Sequence, residues 1–533
     1  MKIKGVFLAA ILTAVLCISG NLLAYSGGTG EPNNPYRIRT VADWQTLMGT
    51  SADWNKRFLL IADVNLAGVI LTPVGNSSKN FTGVFDGNDN IISNAVINQP
   101  GSLYIGLFGY VGSGGQIRNL GIEDVNLTGY FLVGGLAGYT NSGTLTGCYA
   151  TGSVNGDSYV GGMLGYNEGG TITSCYAAGL VSGKSGSVGG LVGYNYRGTL
   201  TSCYATDSVS GTGNYVGGLA GINHQGTLSS CSATGSVTGN STVGGLAGRN
   251  DSGTLISCSA TGLVTGSTQF VGGLAGENYH GSITTCYVTG SVTGTQYVAG
   301  LVGKNDATLT FCYATGSVNG NSTVAGLVGW NDSGTLTGCY AIGPVTGNSD
   351  TGGLVAYNYG GSVNSSYFLI TSGPDNGYGM PLTDAQMKQQ GSFVGWDFVG
   401  ETANGYEDFW RLCSEGLEYP KLAWQYLQGD IICPDGVEIY DFAALGNQWL
   451  VEEIPADLAP PAGDGTVNFA DFAVFAGQWG VSKDIYALND FAQQWLKVGL
   501  RRCSPDISPL PDGDGVVNML DFAMFAKNWL AGI

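Results

Sequence analysis

The feature that most restricts this chain is a phrase that returns about every 27 residues. Words of the type Val-Gly-Gly-Leu begin at Val133, Val160, Val188, Val216, Val243, Val271, Val298 and Val324, with a variant at Thr351 and a degenerate earlier copy at Ile105. A fixed period in this range belongs to repeat architectures, in which one unit cannot bury its apolar face alone and must stack on copies of itself. The full phrase, VGGLAGYTNSGTLTGCYATGSV from Val133 to Val154, holds no apolar period of 3.6 residues long enough for a helix. Short runs such as GTLTGCYA and GSVTG, separated by Gly, Asn and Ser, read as strands of a few residues joined by turns. About three such strands fit one unit. The expected fold is mainly β: a right-handed parallel β-helix of about ten 27-residue coils, each stacked on the last at about 4.8 Å.

Stacking turns repeated letters into columns. Leu136, Leu191, Leu219, Leu246 and Leu274 form one, with Met163 in register. Asparagines Asn167, Asn195, Asn223, Asn250, Asn278, Asn305, Asn331 and Asn358 form another, expected as an amide ladder at a tight turn. Eight coils carry one cysteine each, from Cys148 to Cys339, mostly followed by tyrosine. Adjacent strand residues face opposite ways, so one of the pair points inward; the sequence leaves open which. The cysteines read as a buried, reduced ladder.

The residue before each asparagine varies freely, which marks an outward position. Tyr166, Tyr194, Trp330 and Tyr357 occur there, with Tyr196, Tyr279 and Tyr359 two residues further on. These seven aromatics are the expected ligand face, suited to polysaccharide or cell-surface glycan.

Glycine accounts for 90 of 533 residues and only 11% are charged, while 43% are hydrophobic, a balance that excludes a disordered chain. The net charge of −19 argues against nucleic acid as a partner. The start, MKIKGVFLAAILTAVLCISGNLLAYS, has the basic and apolar regions of a secretory signal over residues 1–24. Its apolar core is too short to span a membrane comfortably, and no other stretch would, so an exported protein without a transmembrane segment is expected.

The G-L-x-G word within a 27-residue β-rich repeat resembles the GLUG-motif family of bacterial surface and secreted proteins. The likeness extends to the lead-in GGTGEPNNPYRIRTVADWQTL and FTGVFDGNDNIIS, and to the closing PLTDAQMKQQGSFVGWDFVGE and YPKLAW. It implies a lead-in or cap over residues 25–100, repeats over 101–370 and a closing segment over 371–427. It also implies an adhesive or accessory role.

Little in the repeats suggests catalysis. Residues 133–370 hold eight acids and four bases, scattered over the coils. They bring no paired carboxylates with a basic partner, apart from Lys304 and Asp306 beside Asp332. There is no HExxH, GxSxG or P-loop. Asp86 and Asp89 in FDGNDN read as a tight turn. The expectation is a protein that is not an enzyme, with a polysaccharide lyase or glycoside hydrolase, or a passive spacer, as alternatives. A cluster of three acidic or basic side chains within one groove would favour the enzyme; an aromatic stripe without such a cluster would favour binding.

Residues 428–533 change character: acidic glycine turns lead into short stretches with Phe, Leu and Trp on one face. The spacing D-G-x-V-N-x-x-D resembles the EF-hand-like calcium loop of dockerin modules, so a small α-helical dockerin-like module is expected. The resemblance places Ca2+ ligands at Asp464, Thr466, Asn468 and Asp471, and at Asp512, Asp514, Val516, Asn518 and Asp521, with Asp435, Glu438 and Asp441 in a shortened loop. Pro460 and Leu510 occupy the first ligand positions and supply no side-chain oxygen. A cohesin-like or cell-envelope partner is implied, and a bridge among Cys413, Cys433 and Cys503 is plausible.

Overall fold

The computed structural model describes residues 25–399 and 408–426. The chain divides into two units, residues 1–364 with 371–379, and residues 365–370 with 380–533. The first is a mainly β, right-handed solenoid of about 12 turns.

Each coil is built from more and shorter strands than the expected three. The coil from Val243 contains Val243–Gly244, Ala247–Asp251, Thr254–Ile256, Ser259–Ala260 and Val264–Gly266. Every strand pairs in parallel with its equivalent one coil away, so Thr199, Thr227 and Thr254 lie in register, as do Asn223, Asn250 and Asn278. Four columns of strands result. We call them the glycine wall (Val243–Gly244 and equivalents), the asparagine wall (Ala247–Asp251), the threonine wall (Thr254–Ile256) and the cysteine wall, which contains the last two strands.

The turn count exceeds the expected ten because the lead-in is itself solenoid. Tyr36–Ile38, Arg57–Leu60 and Val84–Asp86 are the first three strands of the 13-stranded threonine wall. A helix at Val41–Gly49 accompanies these strands, with Thr40 and Asp43 forming a capping box. Its Trp44 meets Phe85 and Phe108 edge-on at 5.8 and 6.0 Å. Large rings thus fill the first coils, where small repeat residues would leave space.

In the repeats the interior is a set of columns. Leu136, Met163, Leu191, Leu219, Leu246 and Leu274 are fully buried, as are Val133 to Val324 of the glycine wall. A close coil-to-coil approach explains glycine here: a Cβ on Gly245 would lie 2.0 Å from the carbonyl oxygen of Gly273.

The cysteine question is settled by one bend. Leu145 points in and Thr146 out; Gly147 then takes a positive φ of 60°, and Ser174, Ser202, Ser230 and Ser257 do the same in later coils. The bend resets the alternation, so Cys148 points inward beside Leu145 and Tyr149 outward. All eight repeat cysteines are buried and free. Each Sγ from Cys148 to Cys339 donates to the carbonyl two residues earlier, at 3.2–3.4 Å. Burial pushes the Cys286 and Cys339 thiols well above the ordinary range. In the second unit Cys413 is disulfide-bonded, and Trp396 stacks on Trp410 at 4.2 Å.

The asparagine column is complete. Each amide from Asn167 to Asn331 donates from Nδ2 to the Oδ1 of the next copy, in seven bonds of 2.8–2.9 Å. The second Nδ2 hydrogen closes the local turn, as from Asn250 to the Gly253 carbonyl at 3.0 Å. Thr140 occupies the position one coil before Asn167, and the Asn167 Oδ1 is buried with no partner among the described residues.

Candidate ligand face

The asparagine wall places alternate residues outward. In Ala247–Asp251, Ala247 and Asn250 are buried while Arg249 and Asp251 are half-exposed. Two outward columns result. The first runs Tyr139, Tyr166, Tyr194, Ile222, Arg249, Glu277, Lys304, Trp330, Tyr357. The second includes Glu168, Tyr196, His224, Asp251 and Tyr279 in register, and, further along, Asp332 paired with Tyr359. All seven aromatics expected to form the ligand face lie on this wall, in these two columns.

They do not form one continuous stripe. Towards the N-terminal coils, Tyr166 and Tyr194 stack at 4.9 Å with planes 5° apart. Burial holds both phenols up at about 12. Tyr159, in the left-handed region at φ 54°, turns its ring onto both, at 5.6 and 5.5 Å. Tyr110 and Tyr139 extend this group at 4.6 Å. The early copy at Ile105 already carried the signal for Tyr110. The corner rings Tyr159, Phe270 and Tyr297 each stand immediately before the Val that opens a coil, a column outside the expected ligand face.

The middle of the wall is charged. His224 Nδ1 lies 3.1 Å from Asp251, and the Arg249 guanidinium lies 3.6 Å from Asp251 and 3.5 Å from Glu277. Arg249 also sits over the Tyr279 ring at 4.4 Å. Burial raises the Glu277 carboxyl, against the opposing pull of Arg249 and Lys304. Arg249 and Asp251 share one strand, whereas His224 and Asp251 are 27 apart in sequence and Arg249 and Glu277 are 28 apart, neighbours only because each coil returns the chain to the same place. The expected scatter of acids and bases is corrected in part: the coils gather Arg249, Asp251 and Glu277 on one face between two aromatic groups, whereas Asp207 and Asp350 lie on other walls.

At the C-terminal end, Lys304 lies 4.5 Å above the Trp330 ring, with its Nζ 3.3 Å from Asp332. Trp330 and Tyr357 are 6.5 Å apart and tilted by 57°. Tyr357 and Tyr359 are 49% and 62% exposed, far more than the rings at the other end.

The cysteine wall carries a further stripe. Tyr149, Tyr176 and Tyr204 stack at 4.9 and 4.7 Å, with planes 6° apart. Rings stacked this way hide their faces against one another and offer solvent only edges and hydroxyls, so this stripe is a poor platform for sugar rings. Asp86 accepts from the Asn88 backbone and pairs with Arg118 at 2.8 Å, as a turn residue would.

The calcium positions Asp435, Glu438, Asp441, Asp464, Thr466, Asn468, Asp471, Asp512, Asp514, Val516, Asn518 and Asp521 lie outside the described residues, as does the signal segment 1–24. Among the described residues, no group of three His, Cys, Asp or Glu side chains is arranged to hold a metal ion. No described helix is long and apolar enough to cross a membrane.

The GLUG motif matches residues 129–155, 184–210, 212–238, 239–265 and 271–293. Five of the repeats are thus matched as GLUG motifs. Two relatives share 33% identity with this chain over 149 residues: halomucin of Haloquadratum walsbyi, and a protein of Evansella cellulosilytica assigned as a Gly-rich membrane protein. The shared stretch is 26% and 25% of this chain but only 2% and 17% of theirs. The GLUG solenoid is also similar to a crystal structure from Bacteroides ovatus assigned as an immunoglobulin A1 protease. That match has 19% identity and a TM-score of 0.36, and covers 75% of this chain and 96% of that one. A second structure, described as IgA1 protease, matches at 17% identity and a TM-score of 0.31, over 62% of this chain and 21% of that one. The expectation that the chain is not an enzyme is corrected by this finding, since the similar structures bear the name of a protease. The likeness is too distant to place proteolytic chemistry on any residue here.

Proposed function

We propose that this is an exported surface protein whose GLUG solenoid binds glycan through the C-terminal end of the asparagine wall. The observation that carries the reading is the exposure of Tyr357 and Tyr359, with Tyr357 tilted by 57° against the half-buried Trp330, beside Lys304 and Asp332. Tilted, solvent-facing rings leave their apolar faces open to sugar C–H groups, whereas the parallel stacks elsewhere do not. Lys304 and Asp332 supply a donor and an acceptor at the same height for sugar hydroxyls. The halomucin and Gly-rich membrane relatives support a place at the cell surface. In this reading the C-terminal acidic loops bind calcium and tether the protein to a cohesin-like or envelope partner. The D-G-x-V-N-x-x-D spacing supports that part.

The deciding experiment mixes the full chain with insoluble polysaccharides and measures both protein depletion and the release of new sugar ends. Depletion that falls on Trp330→Ala and Tyr357→Ala, but not on Tyr176→Ala, is the expected result. Depletion unaffected by Trp330→Ala and Tyr357→Ala would overturn the placement. Release of sugar ends would move attention to Arg249, Asp251 and Glu277. Calcium uptake that survives Asp464→Ala combined with Asp514→Ala would count against the tether.

A further inference from the structure

The threonine wall is the most uniform surface of the molecule, and neither the glycan reading nor the repeat fold requires it to be. From Thr144 to Asn364 its nine strands read TLT, TIT, TLT, TLS, TLI, SIT, TLT, TLT and SVN. The central residue of each strand packs inward and the flanking two face out. Sixteen of these eighteen outward positions carry a hydroxyl; the exceptions are Ile256 and Asn364. No charge occurs on them, in a chain of net charge −19. The neighbouring asparagine wall shows that outward positions of these coils are free to vary: its column reads Tyr, Ile, Arg, Glu, Lys and Trp in the same coils. A preference of threonine for strands explains its presence. It does not explain two columns in which sixteen of eighteen positions carry a hydroxyl.

The geometry is that of a lattice. All nine strands pair in register without a bulge, Thr to Thr or Ser at nearly every step. Parallel strands lie about 4.8 Å apart, and residues two apart along a strand are separated by roughly 6.6 Å. Ladders of identical side chains, such as the buried Leu and Ile residues beneath these strands, oppose the twist of a sheet. Threonine is stiff about χ1, so its methyl and hydroxyl are already fixed before anything binds. Within the array Ser282 approaches Thr254 at 3.4 Å and Thr335 approaches Ser362 at 3.3 Å.

From this we infer that the threonine wall binds ice. A prism plane of ice presents oxygen rows with a similar pair of repeats, one near the strand spacing and one near the two-residue step. Crystalline water is uncharged, which fits nine successive strands that carry no charge while the asparagine wall beside them does. Hydroxyls at lattice positions can join the oxygen rows, and the methyls between them can order the intervening water. A soluble polymer or a protein partner would not require so many identical positions in two dimensions.

The test uses the full chain in a slowly growing ice hemisphere and in a nanolitre thermal-hysteresis measurement. The wild type is expected to concentrate in the ice and to arrest crystal growth below the melting point. Thr171→Tyr combined with Thr199→Tyr keeps strand-forming residues but breaks the lattice, and should lower hysteresis severalfold with an unchanged circular-dichroism melting curve. Thr199→Val combined with Thr227→Val, close in shape, serves if the tyrosine variant unfolds, and should give a smaller loss. Tyr357→Ala, on the other wall, should leave hysteresis intact. Exclusion of the wild type from ice would overturn the inference, and so would hysteresis indifferent to both threonine variants. Failure of glycan binding would leave this result untouched, because the two faces are separate.

Discussion

Two buried polar features of the solenoid invite comparison: the asparagine column and Asp207. Both sit in the interior, at 0% and 2% exposure. The asparagines occur in eight successive coils and satisfy one another, each from Asn195 to Asn331 giving a hydrogen to the next copy and accepting one from the last. Asp207 occurs once. The equivalent positions in neighbouring coils are Gly152, Gly179 and Gly235, so it finds no copy of itself to bond, and its Oδ2 has no partner. In a repeat, a polar group is tolerated inside when the repeat supplies its partner. One introduced in a single coil stays unpaired and carries the full desolvation cost.

Converting one member of the column into the other kind should have the largest effect. Asn250→Asp sets a carboxylate against the Oδ1 of Asn278, and should destabilise the protein by about 5 kcal/mol at pH 8, as for an uncompensated buried charge. Chemical denaturation at pH 8 and pH 5 checks it, with the deficit shrinking at the lower pH.

The reverse change comes next. Burial pushes the Asp207 carboxyl up to about 7 from its ordinary 3.8. For an acid whose folded value is raised, stability is full below pH 4, falls as pH rises, and reaches its lowest level above pH 7. The shift corresponds to at most about 4 kcal/mol. Asp207→Gly should therefore stabilise the protein at pH 8 by up to that amount, leave it unchanged at pH 3.5, and flatten the profile between. A variant that melts like the wild type at pH 8 would refute the unpaired state.

Position within the column gives a finer contrast. Asn250→Ala strips a donor from Asn278 and an acceptor from Asn223, and should cost about 3 kcal/mol. Asn167→Ala removes the end whose Oδ1 is already unpaired, and should cost about 1 kcal/mol. Equal losses would mean that the bonds act separately from their place in the chain. The smallest effect belongs outside: Thr199→Val should change stability by less than about 0.5 kcal/mol, because its hydroxyl faces solvent.

Much of the core could be read from the letters alone, because a period of 27 places Leu136 and Leu191 in one column whatever the details of the coil. The asparagine ladder was legible for the same reason. The direction of Cys148 was not, since a single left-handed residue between Leu145 and Cys148 reverses the alternation, and Ser174 or Ser202 at that position gives no glycine signal. The contribution of the lead-in to the threonine wall was hidden by its different wording. The charged group around Arg249 was missed because acids and bases were weighed along the sequence, when the repeat demanded reading down the columns. On the ligand face the positions were legible, but not which rings would be spent stacking on each other.

The seven amide bonds of the asparagine column all point the same way. Turning one amide over would bring oxygen to oxygen on one side and nitrogen to nitrogen on the other, so no member can reverse alone. The column has a single stable setting, whose sense is set by the turn carbonyls that the same amides meet and is shared along the rungs from Asn167 to Asn358. A coil inserted into this series needs only an asparagine at that turn to join it, whereas a coil that lacks one divides the series into two shorter columns, each with its own unpaired end.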